Sequence, residues 1–284
     1  MDTHLRLVCC RLMIATCVAL LFSPSVRLEA QEVNPYVSLA AKGEMLVDVT
    51  FVLKVKMTGG GGDREVEGET TCLLIGADGL VLCSNTELGG YIGLMSQLMG
   101  RGTGFDMTAT PREIKVVVGD RTEGLDAQLL ARDTERDLAW VQIDELPAEP
   151  PVAFLDLSKS AELGPGDRFY RLRRLDKFFG SAPIVTEGIV AALLERPRKL
   201  LIATEPGSGG FGLPVFTADG RLVGVTVTQM PAAEDQISGA FSGGMSFLSS
   251  AAKLQDMMGG LIMPAADLAK ATQLARESFA EDDE

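Results

Sequence analysis

One histidine occurs in 284 residues, His4, and it lies in the first 30 residues, a segment expected to be removed. Every hydroxyl and thiol beyond residue 30 therefore lacks an imidazole to take its proton. Serine is a weak nucleophile at neutral pH and needs such a base. The remaining candidates for chemistry are few. Cys72 and Cys83 remain after Cys9, Cys10 and Cys17 leave with the leader. They flank Leu73 to Leu82, whose centre, Gly76-Ala77-Asp78-Gly79, is a turn signal between two apolar runs. A hairpin symmetric about Ala77 and Asp78 sets the cysteines face to face, as a disulfide or as two buried thiols. A zinc site is not expected, because no second Cys/His cluster exists. Gly59 to Gly62 is a flexible loop and not a phosphate cradle, since no Gly-Lys-Ser/Thr follows it.

The elements around these residues are short strands. Leu46 to Met57 alternates and is rich in β-branched residues. Thr70 to Cys83 supplies the hairpin. Ile114 to Val118, Leu125 to Leu130 and Leu138 to Ile143 complete a first set. Asp144 to Pro151, with Pro147, Pro150 and Pro151, reads as a linker. Phe169 to Leu172, Ile184 to Leu194, Leu200 to Thr204, Leu213 to Phe216 and Leu222 to Thr228 form a second set. The turn Thr217-Ala218-Asp219-Gly220 resembles the one at Gly76 to Gly79. Many short strands in two similar halves around a proline-rich linker indicate paired barrels. Gly89 to Met107 carries apolar residues at helical spacing. It reads as a short packed helix or as an exposed Met-rich patch that holds a partner. Ser249 to Met258 and Ala265 to Ala280 read as helices, the second followed by acidic residues to Glu284.

Three segments together resemble the trypsin-like serine proteases, most closely the bacterial high-temperature-requirement (HtrA) type. Gly79-Leu80-Val81-Leu82-Cys83-Ser84-Asn85-Thr86 resembles the strand that leads to the family's histidine. Arg136-Asp137-Leu138-Ala139-Trp140-Val141 resembles the stretch that carries its aspartate. Pro206-Gly207-Ser208-Gly209-Gly210, with Pro214-Val215 and Asp219 to Val225, resembles its nucleophile turn. Gly164 to Asp167 and Gly188-Ile189-Val190 add to the likeness, which runs over about residues 45–250. The resemblance implies two packed six-stranded antiparallel barrels with a short C-terminal helical tail. Together with the composition of the two ends and the proline-rich linker, this divides the chain into a signal peptide at 1–30, barrels at 31–148 and 149–250, and a helical acidic tail at 251–284. That tail leaves no length for the PDZ domain of the HtrA type.

The same likeness implies a degenerate triad. Thr86 falls on the histidine position and Asp137 on the aspartate position. Pro206 to Pro214 is two residues longer than the family stretch. Counting back from Asp219 puts Phe211 on the nucleophile, whereas counting forward from Pro206 puts Ser208 close to it. A threonine hydroxyl does not titrate usefully, so Thr86 can neither accept nor return a proton. Lys199 and Glu87 are the substitute bases within reach of these motifs, and neither is favoured. With no imidazole to orient, Asp137 reads as a residue capping its own turn. Phe241 to Phe247 resembles the substrate-cleft strand and reads as the last strand of the second barrel.

Arg6 and Arg11 flank the start of an apolar run from Leu12 to Phe22. Pro24 breaks it, and Leu28-Glu29-Ala30 precedes a cut at Gln31. The run is too short to span a bilayer, although an uncleaved anchor is the alternative. Either way the bulk of the chain is exported, to the periplasm, the envelope or the medium. The formal charge is −13, and losing the leader makes it more negative. That charge argues against a nucleic-acid partner, which needs a basic stripe, and against adhesion to anionic lipid. No cofactor is implied. The expectation is an inactive relative of the proteases that binds an extended peptide or protein in the old cleft by strand addition. The alternative is an active endopeptidase with a non-standard base.

Overall fold

Alternation builds the first strand. In β1 (Leu46–Thr58), Val47, Val49, Phe51, Leu53 and Val55 face inward, while Asp48, Thr50, Val52 and Lys54 stay half-exposed. The computed structural model describes residues 34–58, 62–93, 96, 106–119, 121–149, 151–204, 210–228 and 260–282. β1 joins β2 (Arg64–Leu74), β3 (Leu80–Ser84), β4 (Asp106–Val117), β5 (Leu125–Asp133) and β6 (Leu138–Ile143) in a closed barrel of order β1-β2-β3-β6-β5-β4. A second closed barrel holds β7 (Arg168–Arg174), β8 (Pro183–Leu194), β9 (Leu200–Ala203), β10 (Pro214–Phe216), β11 (Leu222–Val227) and β12 (Leu261–Pro264). Its order, β7-β8-β9-β12-β11-β10, repeats the first strand for strand, and all pairings within both barrels are antiparallel. The expected all-β architecture of two six-stranded barrels with a C-terminal helix is what forms.

The repeat extends to side chains. Phe51 pairs with Gly68 across β1 and β2, and Phe169 pairs with Gly188 across β7 and β8. In each case the ring covers the glycine so closely that a Cβ there would lie 2.5 Å or less from a ring carbon. Both loops before β3 and β11 close on a glycine with positive φ, Gly79 (86°) and Gly220 (81°). Their N–H groups donate to Gly76 O and Thr217 O at 3.1 and 3.0 Å.

Alternation disappears where both faces are covered. In β3 and β6, Val81, Cys83, Ala139 and Val141 face the barrel interior. Leu80, Leu82, Leu138 and Trp140 face a second core, shared with Leu172, Phe216, Val225, Val227 and Met263 of the other barrel. This shared core holds the barrels together, and burying each large side chain contributes about 1.5–3 kcal/mol.

Two helices seal it. α1 (Pro35–Ala40) starts at Asn34, whose Oδ1 accepts the Tyr36 N–H at 3.0 Å. It buries Leu39 in the shared core. α2 (Ala265–Asp282) buries Leu268, Ala271 and Ala275 there as well. Trp140 Nε1–H donates to Thr272 Oγ1 at 3.1 Å, and Arg276 pairs with Asp78 at 2.5 Å.

Three expectations change. The second barrel does not end at residue 250, because β12 lies at Leu261–Pro264, inside the segment read as tail. That run is too short and too uniformly apolar to show a period. α2 is not an appendage either, since it packs on both barrels. β4 begins at Asp106, so Met107 is strand and not part of a helix. Thr86 to Gly93 does form helical turns, with Leu88 and Ile92 buried. Leu94, Met95, Leu98, Met99, Phe241 to Phe247, Ser249 to Met258 and the 1–30 leader lie outside the described residues.

Candidate functional site

The barrels meet where β3 ends, where β5 turns into β6, and where β11 ends. Asp137 sits in the β5–β6 turn at φ +58° and is 2 % exposed. Its carboxylate gathers donors from all three places. Ser84 Oγ–H lies 3.1 Å from both oxygens, the Thr86 N–H donates to Oδ1 at 2.7 Å, and the Thr228 N–H donates to Oδ2 at 2.9 Å. The Asp137 carbonyl accepts the Asn85 N–H at 3.2 Å. The expectation that Asp137 caps its own turn is therefore corrected: its partners lie 51, 53 and 91 positions away in sequence. Its bond to Thr228 ties the first barrel to the second.

Thr86 follows β3 beside this acid. Its backbone, not its side chain, contacts Asp137. Its hydroxyl lies 3.3 Å from the Thr228 hydroxyl. Glu87 comes next and reaches across to the second barrel. Its Oε2 accepts from Thr70 Oγ at 2.5 Å, and its Oε1 accepts the Phe211 N–H at 2.9 Å. Burial pushes the Glu87 carboxyl above the usual carboxylate range. The bonds from Thr70 and Phe211 oppose that rise, and the charge of Asp137 adds to it.

Phe211 belongs to the turn before β10. Thr226 holds that turn from behind. Its hydroxyl accepts the Leu213 N–H at 3.0 Å and donates to Gly210 O at 3.2 Å. Gly212 N–H donates to Thr226 O at 2.6 Å. Gly212 has φ +73°, and a Cβ on it would lie 2.8 Å from Ser84 N. Only glycine lets the second barrel approach the end of β3 this closely.

Thr86, Asp137 and Phe211 are thus gathered in one cluster. Ser208 lies outside the described residues. Lys199 is elsewhere: it is exposed after β8 and lies 4.0 Å from Glu162. Cys72 and Cys83 lie on β2 and β3 with their sulfurs 2.09 Å apart. Among the described residues, no group of three or more His, Cys, Asp or Glu is arranged to hold a metal. Ser84, Thr226 and Thr228 were not singled out by sequence reasoning. For Thr226 a signal was present, because a hydroxyl within the apolar run Leu222–Val227 must find a partner once that strand is buried.

The cluster can bind and orient, but a threonine hydroxyl facing another threonine offers no acid–base chemistry near neutral pH. The model of the trypsin-like peptidase domain matches residues 70–225, and the chain belongs to that family. No curated protein matches it significantly. Among solved structures it is similar to the apo form of the MamO protease domain from Magnetospirillum magneticum. That match has 19% identity and a TM-score of 0.44, covering 78% of this chain and 94% of that one. It is also similar to Rv3671c from M. tuberculosis H37Rv, solved as an inactive serine-to-alanine mutant. Here identity is 16% and the TM-score 0.46, with 87% of this chain and 92% of that one covered. These two likenesses concern the fold alone.

Proposed function

We propose that this trypsin-like peptidase relative no longer cleaves peptide bonds and serves as an exported binding or scaffold protein. In this reading Thr86, Asp137 and Phe211 stand at the histidine, aspartate and nucleophile positions of an HtrA-type ancestor. One observation carries it: the cluster that gathers these residues contains no imidazole, and the chain has none beyond His4. Asp137 is retained because it fastens the barrels through Thr86 and Thr228. The partner is an extended peptide or protein segment that adds as a strand along the old cleft. Export follows from the leader. Among the described residues, no helix is long and apolar enough to cross a membrane.

A fluorophosphonate probe and an unfolded protein substrate test this reading on the purified chain without residues 1–30. No labelling and no cleavage are expected. Labelling at Ser208, together with cleavage lost in Ser208→Ala, would sink it. A second reading, an endopeptidase with Glu87 as base, draws on the half-buried carboxyl with a raised pKa beside Phe211. Against it, both Glu87 oxygens already accept bonds. A cleavage rate that rises with ionisation of Glu87 and is lost in Glu87→Gln would favour it.

A further inference from the structure

The turn at Phe211 presents a backbone N–H toward the junction of the barrels. In acyl-transfer sites, a donor at the nucleophile turn is aimed at a substrate carbonyl oxygen as it gains charge. Here the donor is already engaged by Glu87 Oε1 at 2.9 Å. The surroundings favour that engagement. Thr70 Oγ–H holds the other carboxylate oxygen at 2.5 Å, so the side chain is fixed at both ends. Gly210, at φ +92°, holds the turn beside it, where a Cβ would lie 2.9 Å from Leu213 Cδ1. Among the described residues, no lysine or arginine pairs with this carboxylate. The N–H of Phe211 and the hydroxyl of Thr70 are its hydrogen-bond donors.

We propose that Glu87 is a built-in occupant of this donor site. It is an autoinhibitory contact in which the protein's own carboxylate takes the place of a ligand's carbonyl oxygen or terminal carboxylate. The inference rests on the reading of Phe211 as the nucleophile-position residue. It predicts that the site, once vacated, accepts a small carboxylate, and that the intact protein does not.

The test uses acetate as probe, with chloride at equal ionic strength as control, on the chain without its leader. In Glu87→Ala, acetate is expected to shift the Phe211 amide resonance saturably and to restore part of the lost Tm. In the wild type and in Glu87→Gln, which keeps an acceptor in place, neither should change. If Glu87→Ala stays folded and its Phe211 amide ignores acetate, or if the wild type responds equally, the proposal is overturned. Should Glu87→Ala not fold, Glu87→Asp serves. Its carboxylate is one methylene short of spanning Thr70 and Phe211, so Phe211 amide exchange should quicken by about tenfold or more. Unchanged exchange would refute the contact. Proteolysis by the wild type would defeat the inactive reading yet leave these amide measurements as they stand.

Discussion

Removing the Asp137 carboxylate should cost far more stability than loss of an idle catalytic remnant. In Asp137→Ala, the N–H groups of half-buried Thr86 and buried Thr228 lose acceptors at 2.7 and 2.9 Å on a carboxylate that is 2 % exposed. Each orphaned buried donor costs about 1–3 kcal/mol. Ser84 keeps one bond, since its oxygen accepts the Glu87 N–H at 3.3 Å, so its hydroxyl is left out of the sum. Alanine at φ +58° adds about 1 kcal/mol, which asparagine avoids. The expected loss is about 3–7 kcal/mol, set against a total of about 5–15 for a typical domain. Asp137→Asn keeps one acceptor oxygen but turns an NH2 toward the other donor, and should lose about half as much. Urea denaturation at neutral pH, followed by circular dichroism and by the emission of Trp140, the sole tryptophan, measures both. The midpoint should fall while the slope holds, which marks lost stability and not a changed unfolded state. Exposed Glu135→Ala is the control, expected within about 0.5 kcal/mol of wild type. If Asp137→Ala behaves like that control, the acid does not staple the barrels and the bonding pattern above has been misjudged.

Other consequences can be measured alongside. Glu87 binds its proton more readily when folded than when unfolded, because burial raises its pKa. Its contribution is therefore fully present below the ordinary glutamate range, near 4.3, and is lost as pH climbs through the raised value. Glu87→Gln should flatten that slope, and parallel stability–pH curves for the two proteins would contradict it. Replacing Cys72 and Cys83 by serine opens a loop of 11 residues and should cost about 2–3 kcal/mol by chain entropy, read as a lower urea midpoint than the oxidised wild type. Leu268→Ala empties a fully buried position where α2 meets the shared core. A loss of about 2–5 kcal/mol is expected, and a change under about 0.5 would mean that α2 is dispensable. Gly212→Ala forces both a left-handed backbone and a Cβ 2.8 Å from Ser84 N. It should weaken the junction by more than about 2 kcal/mol, whereas Gly119→Ala, which meets nothing within 4 Å, should pay only the backbone term.

The sequence by itself determined what short-range chemistry controls. β1 was legible because one face is buried and the other is not, which leaves a period of two. The turns at Gly76 to Gly79 and Thr217 to Gly220 were legible because only certain residues tolerate their backbone. The missing imidazole needed no structure at all. β12 was hidden because Leu-Ile-Met-Pro is buried on both sides and carries no period. The shared core likewise made residues 80–83 of β3 and 138–141 of β6 uniformly apolar, so nothing in those runs says which residue faces which barrel.

Only the tertiary structure decided what Asp137 and Glu87 do. The sequence suggested a turn cap for Asp137 and, for Glu87, a substitute base that was not favoured. Their partners come from β2, from the end of β3, from the residue after β11 and from the turn before β10, up to 124 positions away. A carboxylate's role is set by the donors that surround it once water is gone. Two of those donors are the hydroxyls of Ser84 and Thr70, and three are backbone N–H groups, which every residue type but proline carries, so only the approach of the two barrels selects the ones that serve.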